Sequence, residues 1–170
     1  AIGTEQDSII FTSGRPVKAP GDWGGLHYGQ GSSGAESKDI DIVIDYSVIE
    51  YAGGWSNGDD DAAIYINPDI YQFFSGFQGL RSVTRSSIRH ISGAAYKSAY
   101  TATESQSSPQ WVIAGNDIAD ISGNGIHFYD YRSDYYAIDI VVEGNTLRGS
   151  GNNTGIIDDS YSNYASQSDS

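Results

Sequence analysis

The sequence predicts an all-β solenoid of about five stacked coils, and three observations carry that prediction. The first is a pattern that recurs four times: an apolar residue, two positions, Asn or Ser, one position, Ile or Leu, two positions, a small or apolar residue, then Gly close behind. Its copies run from Ile44 through Ser47 and Ile49 to Gly53, and from Val83 through Ser86 and Ile88 to Gly93. Two more run from Ile113 through Asn116 and Ile118 to Gly123, and from Val142 through Asn145 and Leu147 to Gly151. The aligned Ile/Leu positions lie 39, 30 and 29 residues apart. A fixed unit with variable insertions is how coils joined by loops of unequal length read in sequence. The second observation is a small–apolar–outward triplet farther along each repeat, and the third is composition.

Composition suits a thin core wrapped in turns. Hydrophobic residues make up 38% of the 170-residue chain, with 12% aromatic and 21 glycines, which is too apolar for disorder. No apolar run approaches membrane-spanning length. The net charge of −13 argues against nucleic acid, whose phosphates need a basic surface. It fits a surface exposed outside the cell and leaves carboxylates to spare for Ca²⁺. Without Cys neither a disulfide framework nor a thiolate metal site can form. The absence of Met, even at position 1, is read as the mark of a processed or cut piece of a longer chain.

Each repeat supplies three short apolar stretches. One copy reads Trp111-Val112-Ile113, then Ile118 and Ile121, then Gly125-Ile126-His127-Phe128-Tyr129. Stretches this short, broken by Asn, Gly and Ser, are strands rather than helices. Asn116 and Asn145 are expected at the corner between the first two strands, in the left-handed conformation that Asn tolerates. On coils stacked ~4.8 Å apart their side chains would share hydrogen bonds up the ladder. On the third strand Leu26, Ile64, Tyr96, Ile126 and Ile156 align as an inward column. Before each stands Gly25, Ala63, Ala95, Gly125 or Gly155, and after them His27, Tyr65, Lys97, His127 and Ile157. The last set should point outward because strand side chains alternate. Turns are expected at 15–21, 29–39, 53–61, 101–110, 130–134 and 151–154. The helix is expected over 1–158, with a polar tail over 159–170.

Ala1-Ile2-Gly3-Thr4, Ile9-Ile10-Phe11-Thr12-Ser13 and Pro20-Gly21-Asp22-Trp23-Gly24-Gly25-Leu26 resemble a signature of bacterial secreted or surface-displayed repeat proteins. These are right-handed parallel β-helices of the pectate-lyase-like superfamily. The likeness covers most of the chain, and Gly-Asp-Trp-Gly-Gly is its most specific part. It implies a single-stranded right-handed parallel β-helix with a secreted or cell-surface location. It also implies that Gly3 follows earlier coils of a longer helix. Such modules occur in adhesins, in polysaccharide lyases and epimerases, and in large proteins of other kinds.

The resemblance points first to the outward column His27, Tyr65, Lys97 and His127 as a sugar-binding groove, with the small column leaving a shallow shelf beside it. The next outward positions, Asn67, Ala99, Tyr129 and Asp159, extend that surface. A lyase or epimerase needs a base, for which Lys97, His127 and Tyr129 are the candidates, and a cation or Arg for the developing enolate. No acidic cluster stands beside Lys97 in this reading. Asp59, Asp60 and Asp61 are candidate Ca²⁺ ligands, as are Asp130, Asp134, Asp158 and Asp159, because hard cations want converging oxygens. Neither set matches an EF-hand or a nonapeptide Ca²⁺ repeat, and solvated acidic loops are the preferred reading. Loop tyrosines Tyr131 and Tyr135 either serve recognition or pack over the solenoid's side to cover Trp111; Trp23 and Trp111 read as structural, and Trp55, on a loop beside Asn57-Gly58, as the more interesting one. His90, Arg85 and Arg89 form a small basic patch, read as an exposed strand edge.

The expected function is that of a non-catalytic extracellular binding, adhesion or scaffold module, with polysaccharide or cell-surface glycan as the ligand class. The alternative is a fragment of a polysaccharide lyase or epimerase acting on an acidic polysaccharide. No cofactor is expected, Ca²⁺ being the one ion that the acidic loops could take. Exposed strand edges at the ends call for neighbouring coils or end-to-end self-association.

Overall fold

The structure, a computed structural model, describes residues 1–28, 41–54, 61–66, 80–100, 110–130, 139–149 and 155–159. Among them are fourteen strands and no helix. The first sheet contains β3 (Ile42–Asp45), β6 (Arg81–Thr84), β9 (Gln110–Ala114) and β12 (Asp139–Glu143). The second contains β1 (Ile9–Phe11), β4 (Ser47–Glu50), β7 (Ser87–Ile91), β10 (Asp117–Ile121) and β13 (Thr146–Arg148). The third contains β2 (Leu26–Tyr28), β5 (Ala62–Ile66), β8 (Ala94–Tyr100), β11 (Ile126–Asp130) and β14 (Ile156–Asp159). Every pairing is parallel. The chain therefore visits the three sheets in turn and returns one rung farther on, which is a parallel β-helix. Ala1–Gly3 adds a rung to the first sheet, through the bridge from Ile2 to Asp45 and the bonds Gly3 N to Asp45 O and Asp45 N to Ala1 O.

The core is a set of columns. Phe11, Ile49, Ile88, Ile118 and Leu147 are partners on successive rungs of the second sheet, and the three central isoleucines are at most 1% exposed. Burying each contributes about 1.5–3 kcal/mol. In the third sheet Leu26, Ile64, Tyr96, Ile126 and Ile156 stack in the register expected from sequence. Burial pushes the Tyr96 phenol far above its ordinary pKa. Trp111 is 3% exposed and its ring meets Phe128; Trp23 packs on the core and donates Nε1–H to the Glu50 carbonyl at 2.9 Å. Both tryptophans are structural.

The ladder at the first corner forms as expected. Ser86 Oγ accepts from Ser47 N, Asn116 Oδ1 from Ser86 N, and Asn145 Oδ1 from Asn116 N, each at 3.0 Å. Asn116 Nδ2 also donates to Val83 O, and Asn145 Nδ2 to Ile113 O. The expected left-handed backbone falls elsewhere, however. Positive φ belongs to the preceding residue: Tyr46 (44°), Arg85 (47°), Gly115 (65°) and Gly144 (62°). The chain turns there, and Ser86, Asn116 or Asn145 follows so that its side-chain oxygen can accept from the backbone of the preceding coil.

A second left-handed row explains an odd spacing. The apolar pairs 88/91 and 118/121 break the two-residue period of a strand, yet Ile88, Ile91, Ile118 and Ile121 are all in the core. His90 (φ 55°) and Asp120 (φ 50°), aligned with Tyr51 (φ 61°), reverse the alternation by one step. Arg89 therefore faces solvent and Ile91 faces the core.

Candidate functional site

The candidate groove lies on the third sheet, where short strands between tight corners fix each side chain on its rung. The register places His27 beside Tyr65, Tyr65 beside Lys97, and Lys97 beside His127, with Ile157 next. The expected column therefore exists. His27 is exposed, while Lys97 and His127 are half-buried. His27 Nε2 donates to the Gly24 carbonyl at 2.8 Å, which ties the ring to its own coil.

Two expectations about this face need correction. Tyr65 is only 2% exposed. The His27 ring lies 5.4 Å from it at 59°, and Lys97 Nζ stands 5.9 Å from its centroid. Tyr65 thus offers no open face for a sugar ring; it is a spacer clamped between an imidazole and an ammonium. The small column is also not a shelf. Ala63 and Ala95 are fully buried in the main core. Gly25 has φ +102°, and a Cβ there would lie 2.5 Å from the Ala62 carbonyl oxygen. These positions are small because neighbouring rungs touch there.

The polar strip that remains spans three rung spacings, roughly 14 Å from His27 to His127. Lys97 and His127 are on adjacent rungs, close enough to hold two substituents of one sugar unit. His27 is too far away to share a proton-transfer step with them, because such groups must come within about 3 Å of the same reacting atom. An elongated ligand lying along the helix axis suits this geometry.

Tyr129 lies on β11, paired with Ala99 and Asp159, but its side chain is outside the described residues. Asn67, Asp59, Asp60, Trp55, Tyr131, Tyr135 and Asp134 are also outside them, as are the side chains of Asp130, Asp158 and Asp159 and residues 160–170. Asp61 is described: its carbonyl accepts from Ala94 N, and its Oδ1 is buried with no hydrogen-bond partner. Among the described residues no group of three His, Asp or Glu side chains converges as a metal site would require.

The basic patch on the second sheet is not a bare strand edge. Arg85 is hydrogen-bonded to Asp45 through Nε and Nη2, with Thr84 on the same carboxylate. Arg89 reaches Glu50 through Nε and Nη2, each at 3.0 Å, while Thr12 and Lys18 bind its other oxygen. His90 stacks on Tyr51 at 5.1 Å and stands 3.5 Å from Asp120. Arg148 holds Asp117. The Arg85 hydrogen bond holds the Asp45 carboxyl below the ordinary range, with partial burial opposing and Thr84 adding to it. Burial would raise Glu50, but the hydrogen bonds from Thr12 and Arg89 outweigh it and the carboxyl is lowered. Sequence reading found Arg85 and Arg89 and missed their partners, since those lie on a different coil, 40 and 39 residues away; it missed Arg148 and Asp117 altogether.

No protein family, curated protein or solved structure matches the chain.

Proposed function

We propose that this chain is a non-catalytic β-helix module of a secreted or surface protein, and that it binds a glycan laid along the His27–Lys97–His127 strip. The observation that carries this reading is the in-register column of donors on one rigid sheet. A surface of fixed spacing suits a polymer of fixed repeat and loses little entropy on binding. The Gly-Asp-Trp-Gly-Gly likeness to secreted pectate-lyase-like β-helices supports the same class of ligand.

The test is titration calorimetry with neutral and acidic oligosaccharides on the wild type and on Lys97→Ala and His127→Ala. A hydrogen bond to a charged group contributes about 1.5–3 kcal/mol, so Lys97→Ala should weaken binding by roughly 10- to 100-fold. Undiminished glycan affinity in the double variant would exclude this strip. The adjacent placement of Lys97 and His127 favours one second reading, a lyase or epimerase acting on an acidic polysaccharide. Incubation with pectin and alginate checks it, by absorbance of an unsaturated uronate for a lyase and by product sugar analysis for an epimerase.

A further inference from the structure

Tyr65 points outward from its strand and is buried all the same. It stands between His27 and Lys97 on the outward column of the third sheet, yet it is 2% exposed. Its burial does not belong to the solenoid core. With Ala62 and Ala94, partners on neighbouring rungs, it forms a small cluster of its own. An aromatic ring seated in this way is rigid, because only two side-chain angles have to be fixed.

We propose that Tyr65 is the positioning residue of the strip, a role that rests on the glycan reading: its ring orders the Lys97 ammonium before any ligand arrives. Lys97 Nζ stands 5.9 Å from the ring centroid, within the ~6 Å range over which a ring face attracts a cation. A lysine side chain left loose must be ordered on binding, which weakens affinity by roughly 2- to 10-fold. The ring removes that loss by ordering the chain in the free protein. On its other side the ring meets His27, at 5.4 Å and 59°. That imidazole is itself tied to the Gly24 carbonyl at 2.8 Å, so the ring is stopped on the side of the first rung.

The chemistry this role needs is the aromatic face and not the hydroxyl. A cation is drawn to the negative face of the ring, which Phe shares with Tyr and an aliphatic side chain lacks. The arrangement also sets the reach of the ligand. His27 and Lys97 stand two rungs apart, roughly 10 Å, with a closed ring between them. A ligand that touches both has to bridge Tyr65, as an oligosaccharide does and a single sugar does not.

Two measurements on the whole chain test this. In the ligand-free protein, proton–carbon NMR spectra should show the ε-methylene of Lys97 shifted by the ring in the wild type and in Tyr65→Phe, and not in Tyr65→Leu. Titration calorimetry with the oligosaccharides should find Tyr65→Phe near the wild type and Tyr65→Leu weaker by roughly 2- to 10-fold. In a Lys97→Ala background Tyr65→Leu should bring no further loss, because the two residues act as one unit. A ring that only supported the sheet would weaken binding equally in both backgrounds. Circular dichroism confirms that the variants keep their strands, and if Tyr65→Leu unfolds, Tyr65→Met fills the seat without a ring. Identical Lys97 signals in the wild type and Tyr65→Leu overturn the proposal. So do equal losses in Tyr65→Phe and Tyr65→Leu, or losses that add to that of Lys97→Ala. A wild type that binds no glycan overturns the glycan reading and the positioning role with it, while the spectra still show whether ring and ammonium are in contact.

Discussion

Asn116 shows how much one polar side chain can do inside a narrow solenoid. It is 1% exposed, and its amide joins three coils: Oδ1 takes Ser86 N, while Nδ2 serves Val83 O and Asn145 Oδ1. Replacing it by Ala would leave a buried N–H and a buried carbonyl unsatisfied, each costing about 1–3 kcal/mol. Asn116→Ala should therefore lower stability by about 3 kcal/mol, read as a fall in the urea midpoint with an unchanged slope. Ser47→Ala at the end of the same ladder should cost less. Its backbone N–H still donates to Ser86 Oγ, and only the bond from its hydroxyl to Asp45 O is lost. Equal losses at the two positions would mean that the ladder does not stabilise the fold in this way.

At the scale of a sheet, ion pairs between rungs tie each coil to the next. Asp45 and Glu50 both have carboxyls held below their ordinary range. A depressed folded-state value contributes stability above the unfolded value, about 3.9 for Asp and 4.3 for Glu. That stability is lost as pH falls through the folded-state value. Unfolding should thus become easier below about pH 4.5. The partners Arg85 and Arg89 are about half exposed, 55% and 47%, so solvent screening keeps the contribution of each pair small. Asp45→Asn should accordingly lower the urea midpoint at pH 7, and its deficit against wild type should shrink as pH falls through the folded-state value. A deficit that stays constant down to the acid end of the folded range would assign the loss to packing instead of charge.

In the whole molecule, stability should grade along the helix axis. Each coil touches only its neighbours, so central rungs are held from both sides and outer rungs from one. At the first rung Ile2 and Ile10 are 69% and 62% exposed, and at the last Ile156 is 51% exposed. Ile88 and Ile118 between them are 1% exposed. Amide hydrogen exchange should therefore be slowest in β7 and β10 and fastest in β1 and β13. Uniform protection across all five rungs would indicate all-or-none opening of the stack.

Sequence alone determined the solenoid, its five coils and its third-sheet register. The repeat is local, and apolar periodicity needs no knowledge of distant neighbours to be read. It also placed Asn116 and Asn145 in one hydrogen-bonded ladder, because identical positions on stacked coils must meet; the structure extends that ladder through Ser86 to Ser47. Tertiary structure alone decided three things. Tyr65 is on the outward column yet buried, since exposure depends on what stands beside a residue as well as on which way it points. The left-handed residues are Tyr46, Arg85, Gly115 and Gly144, and not the Ser or Asn that follows each, because the choice is set by where the chain must bend. Finally, the cations at 85, 89 and 148 found their carboxylates one rung away. That spacing is a short distance across the stack and 31 to 40 residues along the chain.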